Sequence, residues 1–252
     1  MKNNKSLGQH WLKNREILEE IADSAVIDGV DFCLEIGPGL GTLTTSLLRR
    51  FKKVIAVEYD ERLAANLPKS FPGKNLEVVT GDILEFDFSS LNGDYVIAGN
   101  IPYYITSPII EKVLTTENLA KKVVLLIQKE VAERLLDEKE TMLSLFVKNR
   151  AEVEAGPIVL KDEFTPPPKV DSQVIVLYPH VPVVNDEVFD LIKQGFKAPR
   201  KKLVHNLTGI LSRDELTEML KKLSIDINAR PGDLDLEKWQ LLYEKINDAT
   251  HK

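Results

Sequence analysis

Between residues 31 and 41 an apolar run, Asp31-Phe32-Cys33-Leu34-Glu35-Ile36, gives way at once to Gly37-Pro38-Gly39-Leu40-Gly41, and a helix-forming stretch opens at Thr42. A buried strand, a glycine turn and a helix N-terminus in that order make the entry of a Rossmann-like sheet. The pattern recurs without the glycines. Lys53 to Glu58, Leu76 to Thr80 and Asp94 to Gly99 are apolar runs of strand length, and each is followed by a turn or a helical segment. Their carboxyl ends deliver Glu58, Asp82 and Asn100, as the first run delivers Glu35. Open parallel sheets bind ligands outside those ends, so polar residues at four consecutive strand ends point to one crevice.

The turn is spaced G-x-G-x-G rather than the G-x-G-x-x-G that cradles a pyrophosphate. A tight turn with an acid, Glu35, just before it suits a ligand with an amino acid end and no phosphate, which is S-adenosylmethionine. Glu58 falls about 20 residues beyond Gly37, the offset at which a carboxylate meets ribose hydroxyls in such folds. Asp82 is placed to accept from the adenine amine of that cofactor. A strand-end acid with no ligand is the plainer reading of each. The fold expected is α/β, a Rossmann-like class I methyltransferase sheet.

Asn100-Ile101-Pro102-Tyr103 offers a different chemistry. The Asn100 amide oxygen takes one hydrogen bond, and a carbonyl held extended before or at Pro102 takes a second. Tyr103 adds a flat π-face. Two fixed acceptors and a stacking ring suit the exocyclic amine of a base, with its lone pair turned toward an electrophile. A proline turn with a packed tyrosine would look the same locally.

Around this centre, Asn14 is placed to cap a helix over Arg15 to Ala22, behind an arm of residues 1–13. Helices are expected over Thr42 to Phe51, Glu61 to Ser70 and Ile109 to Leu114, a fifth strand over Lys122 to Lys129 and a short helix to Leu136. Leu143 to Val147, Ala151 to Val153 and Asp171 to Tyr178 read as further strands, an antiparallel addition at one edge. Phe164-Thr165-Pro166-Pro167-Pro168 is a stiff extended arm, able to hold Phe164 over a pocket or to serve as a connector with a core phenylalanine. From Val183 the pattern is helical: Asp186 to Phe196, Lys201 to Leu211, Asp214 to Leu223 and Leu236 to Ile246. The expected domains are 1–180 and 181–252.

The 252 residues carry a net charge of -6, which argues mildly against a nucleic-acid partner. Clustering matters more than the total, and Lys197 to Lys202 gathers four cations. The lone Cys33 sits among apolar neighbours and reads as an inert core residue. The 4 histidines, His10, His180, His205 and His251, lack metal-ligand spacing. Neither a metal nor a thiol nucleophile is expected. No apolar run approaches the roughly 20 residues of a membrane span, and Met1 to Ser6 leads into no signal-peptide core; a cytoplasmic protein is expected.

Four motifs in order resemble one family: Gly8-Gln9-His10-Trp11-Leu12, Glu35-Ile36-Gly37-Pro38-Gly39-Leu40-Gly41, Asn100-Ile101-Pro102-Tyr103, and Phe164 to Ser172. They are similar to those of the rRNA adenine dimethyltransferases, most of all the bacterial small-subunit (KsgA-type) branch, and Lys201 to Leu207 is similar to that branch's basic tail. The resemblance implies dimethylation of two adjacent adenosines near the 3′ end of small-subunit rRNA, with a role in small-subunit biogenesis. It implies cofactor contacts from His10, Leu12, Gly37, Gly39, Gly41, Ile83 and Asn100 besides Glu35, Glu58 and Asp82. It also implies a target adenine held by Asn100 and Pro102 between Tyr103 and Phe164, and RNA contacts from Arg200, Lys201 and Lys202 in a helical RNA-binding domain. The expected partner is immature small-subunit RNA, bound by a monomer. Trp11 replaces the usual phenylalanine, and the family's segment before Leu143-Ser144-Leu145 is shortened here to Asp137 to Met142. Two other readings remain: a sibling enzyme that methylates large-subunit rRNA and confers antibiotic resistance, and a non-catalytic ribosome assembly or transcription factor.

Overall fold

In a computed structural model of the protein, which describes residues 9–250, Asn14 caps the first helix as its position predicts. Its side chain accepts from the N–H groups of Glu16 and Ile17, satisfying donors that a helix start leaves open. Gly8 of the arm motif and His251 lie outside the described residues. The order is β1 (Trp11–Leu12), α1 (Arg15–Ala25), β2 (Phe32–Ile36), α2 (Thr42–Leu47), β3 (Lys53–Glu58) and α3 (Glu61–Asn66). Then come β4 (Leu76–Thr80), β5 (Val96–Asn100), α4 (Thr106–Thr115) and β6 (Lys122–Gln128). Helix α3 stops short of Ser70 because Pro68 has no N–H to donate into the helix ladder, and the chain continues as a 3-10 turn over Leu67–Ser70.

Next are α5 (Lys129–Leu136), α6 (Met142–Lys148), β7 (Ala151–Val159), β8 (Phe164–Thr165) and β9 (Ser172–Pro179). The main sheet runs β4-β3-β2-β5-β6-β9-β7, parallel from β4 through β6 and antiparallel at β9 and β7. The antiparallel edge matches expectation. After β2 the chain builds outward through β3 and β4, then returns to place β5 on the other flank of β2. That reversal is the switch point at which such sheets open a crevice.

Leu143 to Val147 is a helix, not a strand. Leu143, Leu145 and Val147 alternate, which mimics strand periodicity, but Thr141 and Ser144 form a capping box. The Thr141 hydroxyl accepts from the Ser144 N–H at 3.0 Å, and the Ser144 hydroxyl accepts from the Thr141 N–H at 2.7 Å. Two helix-start donors are thereby satisfied reciprocally. The shortened segment ahead of it is ordered by Glu140, whose carboxylate accepts from the Ser144 hydroxyl at 2.6 Å and from Lys148 at 2.7 Å.

The chain divides into two compact units. The sheet unit takes the chain up to Glu133 and Ala151–His180; the helical unit takes Arg134–Arg150 and everything from Val181. The boundary expected after residue 180 therefore has a counterpart at 134–150, which the sequence reading assigned to the sheet domain. Leu145 explains the reassignment: it has no exposure and belongs to the helical unit's core with Val188, Ile192, Leu216 and Trp239. That unit holds α7 (Asp186–Gly195), α8 (Leu203–Leu207), α9 (Arg213–Lys222) and α10 (Leu236–Thr250). Helix α8 is shorter than the 201–211 expected, so Arg200 and Lys201 lie before it and Lys202 stands at its N-terminal boundary, with no capping bond from its side chain. In the sheet unit, Leu18, Ile21, Cys33, Leu47, Val96 and Val124 pack into one core. Cys33 is fully buried, as expected, and burial pushes its thiol pKa up. No described helix is long and apolar enough to cross a membrane.

Candidate active site at the strand ends

The carboxyl ends of β2, β3, β4 and β5 open into one cavity of about 350 Å³ within the sheet unit. Glu35, Glu58, Asp82 and Asn100 all line it, as do Gly37, Gly39 and Ile83, and then Pro102, Tyr103 and His10. The crevice inferred from the recurring strand ends is thus a single space.

Gly37 has φ +64°, and a Cβ built there would meet no atom within 4 Å. The backbone at that point faces open cavity, a cradle that a side chain would fill. Gly41 has φ +82° for a different reason. It does not line the cavity; a Cβ there would come within 2.8 Å of Leu67 and Phe71, so its smallness lets α2 start against the 3-10 turn that follows α3.

Glu58 is buried, and each of its carboxylate oxygens holds one backbone N–H. One carboxylate oxygen accepts from the Gly39 N–H at 2.9 Å and the other from the Asp60 N–H at 2.8 Å. It fastens the glycine turn to the end of β3. Burial raises its pKa, against the lowering by these backbone donors. Glu35 is the opposite case. It is 1% exposed, and neither carboxylate oxygen has a hydrogen-bond partner. Burial pushes its pKa up to about 8; Thr44 is near enough to lower it, and Glu58 raises it further. The Thr44 hydroxyl is itself buried and unpartnered, so no donor is aligned on Glu35. Asp82 uses one oxygen to accept from the Leu84 N–H at 2.9 Å.

At the end of β5 the Asn100 side chain, which lines the cavity, donates through Nδ2 to the His10 carbonyl at 3.1 Å, and its Oδ1 remains as an acceptor. Pro102 is extended, with φ -62° and ψ 133°, and its carbonyl accepts from the Ile105 N–H at 3.2 Å with a lone pair to spare. Tyr103 stacks against His10, with ring centroids 5.9 Å apart and planes 19° from parallel.

Three residues assigned to the site lie elsewhere. Leu12 and Phe164 face each other across the β1–β8 pair and are 0% and 1% exposed in the sheet unit's core. The proline arm does hold Phe164 in place, but on the core side, and a role against a base would require the ring to leave that packing. Gly41, as described above, is the third. Arg200, Lys201 and Lys202 are exposed on the helical unit. Lys202 donates to Asn228 at 2.7 Å, and Lys201 lies 3.2 Å from His205. Among the described residues no cluster of potential ligands could hold a metal ion.

The sequence reading passed over Gln9, Thr42, Tyr59 and Tyr104, which also line the cavity. Tyr59 and Tyr104 are 63% and 62% exposed. Their signal was adjacency: each stands next to a residue already singled out.

The chain matches the family model for ribosomal RNA adenine dimethylase over residues 1–248. Ribosomal RNA small subunit methyltransferase A of Nostoc sp. is 40% identical over 257 residues, which cover 93% of this chain and 94% of that protein. The protein of the same name from Clostridium acetobutylicum is 35% identical and covers 96% of this chain and 93% of its own. Among solved structures, a dimethyladenosine transferase from Plasmodium falciparum superposes with a TM-score of 0.79 at 32% identity, covering 95% of this chain and 98% of that one. The 23S rRNA methyltransferase ErmE superposes at 0.77 with 26% identity, covering 94% and 99%. Agreement of this extent in both sequence and fold settles the kinship: the chain belongs to the ribosomal RNA adenine dimethylase family of methyltransferases.

Proposed function

We propose that this protein uses S-adenosylmethionine to dimethylate the exocyclic amines of two adjacent adenosines near the 3′ end of small-subunit (16S) rRNA, acting in the cytoplasm on the immature small subunit. The observation that carries the reading is Asn100, whose free Oδ1 and neighbouring Tyr103 ring open into the same cavity as the acid-lined glycine turn.

The residues present fit the cofactor. Glu35 is a buried carboxylate without a partner, as an ammonium would require. Gly37 leaves room for an amino acid end to approach the backbone. Glu58 and Asp82 retain acceptor lone pairs for ribose hydroxyls and an adenine amine. When bound, the cofactor supplies a methyl group on a sulfonium, an activated leaving group.

The chain supplies position. Asn100 Oδ1 and a carbonyl of the Pro102 region accept the two N–H bonds of the target amine, and Tyr103 stacks on the base. The nitrogen lone pair is then held toward the cofactor in a desolvated site. A base inside a duplex cannot reach this cavity, so the adenosine enters flipped or unpaired. Arg200, Lys201 and Lys202 serve the RNA backbone from the helical unit.

The test is transfer of labelled methyl to small and large ribosomal subunits that lack the modification, each offered separately, with the product nucleoside identified by mass. Dimethyladenosine in small-subunit RNA is expected. Label in the large subunit instead would favour the kind of activity named for ErmE. No transfer with cofactor bound would favour a non-catalytic assembly factor.

A further inference from the structure

His10 sits where three pieces of the sheet unit meet. Its Nδ1 lies 2.7 Å from the Pro166 carbonyl, and a carbonyl only accepts, so that nitrogen carries the proton. Its ring stacks on Tyr103. Its own backbone carbonyl receives the Asn100 side-chain amide. At the other end of Tyr103, the phenol shares a 2.6 Å hydrogen bond with the hydroxyl of Ser172, a residue with no exposure. Pro166 and Ser172 lie toward the two ends of the proline-rich arm. The arm therefore grips both members of the His10–Tyr103 stack.

We propose that His10 and Ser172 are positioning residues for methyl transfer: from behind, they fix the orientation of the Asn100 carboxamide and the plane of the Tyr103 ring. The proposal rests on the reading that Asn100 and Tyr103 hold the target adenine. A carboxamide has two orientations of nearly equal shape, and only one presents oxygen to an amine. The His10 carbonyl accepts from Nδ2 and repels Oδ1, so it selects the productive orientation before substrate arrives. Tyr103 has the same need, since a ring without its phenol anchored would rock about its side-chain torsions. Residues that do not touch the reacting atoms thereby preorganise those that do.

Two sets of variants test this. Ser172→Ala and Tyr103→Phe delete one hydrogen bond from either side, and each should lower kcat about 3- to 10-fold while leaving cofactor-product affinity unchanged by calorimetry. Because both delete the same bond, the double variant should be no slower than the slower single. His10→Phe keeps a ring against Tyr103 but removes the Nδ1 donor. In that variant the Asn100 side-chain amide signals should shift in heteronuclear NMR and exchange faster with solvent, whether or not the enzyme turns over. Unchanged Asn100 signals, unchanged kcat in the singles, or fully additive losses would overturn the proposal. Shifted signals in a protein whose wild type fails to methylate small-subunit RNA would leave the clamp standing and remove the substrate reading.

Discussion

Glu35 makes the stability of the sheet unit depend on pH in an unusual direction. Its carboxyl ionises near 4.5 in an unfolded chain but is pushed up to about 8 in the folded protein, chiefly because of burial. Between those values the unfolded state binds fewer protons than the folded one, so stability falls as pH rises. The contribution is fully present below pH 4.5 and is lost as pH passes through about 8. At about 1.4 kcal/mol for each pH unit, the loss between about pH 5 and pH 8 is roughly 4 kcal/mol. Glu35→Gln has the same shape and cannot ionise. It carries a constant cost for its unpaired amide, and relative to wild type it should gain roughly 4 kcal/mol across that range. The assay is urea denaturation at a series of pH values, with the sheet unit sampled by a hydrogen-exchange pulse over the β2 and β5 peptides. S-adenosylhomocysteine, which has the same ammonium, should flatten the wild-type profile. Parallel pH profiles for wild type and variant, differing by a constant, would refute the account of Glu35 as a buried, partnerless acid.

Asn100→Ala removes the acceptor for the target amine and should abolish turnover while cofactor binding stays measurable by calorimetry; unchanged methylation would remove Asn100 from its assigned role. Tyr104 is exposed at the cavity mouth, so Tyr104→Ala should weaken RNA binding by about 1 to 3 kcal/mol if it stacks on a flanking base, as read by fluorescence anisotropy. Replacing Arg200, Lys201 and Lys202 together should reduce the slope of log affinity against log salt by roughly 0.7 to 0.9 for each phosphate that is no longer neutralised. Gly195→Ala would push a Cβ to 2.2 Å from the Trp239 ring, which is fully buried. It should destabilise the helical unit by about 2 to 3 kcal/mol, seen as a lower urea midpoint by Trp239 fluorescence.

The strand ends were legible because four successive apolar runs each carry a polar residue at or just beyond the carboxyl end, a recurrence that points to one shared ligand crevice. Glu35, Glu58, Asp82 and Asn100 stood out for that reason, and the sheet brings them to one cavity. The proline arm was legible only in part. Its stiffness could be read from Pro166 to Pro168, but which face of the chain it would press Phe164 against depends on the pairing of β8 with β1, and a two-residue ladder leaves no periodic signal. Helix α6 was misread because five residues, Leu143 to Val147, fit both periods; the deciding feature was the hydroxyl pair Thr141 and Ser144. For Glu58, position was evident and occupation was not. Nothing in a strand-end acid announces that the N–H groups of Gly39 and Asp60 will claim both its oxygens.

The chain leaves the sheet after Glu133, builds α6, and returns for β7 and β9 before entering the helical unit for good. During synthesis, α6 therefore emerges ahead of every helix it will pack with. Leu145 and Phe146 wait for Val184 and Phe189, while the sheet can close as soon as residue 180 is free. A fragment ended at residue 180 would carry a complete sheet and a stranded apolar helix. To obtain a soluble minimal catalytic piece, residues 134–150 would also have to be replaced by a short polar linker.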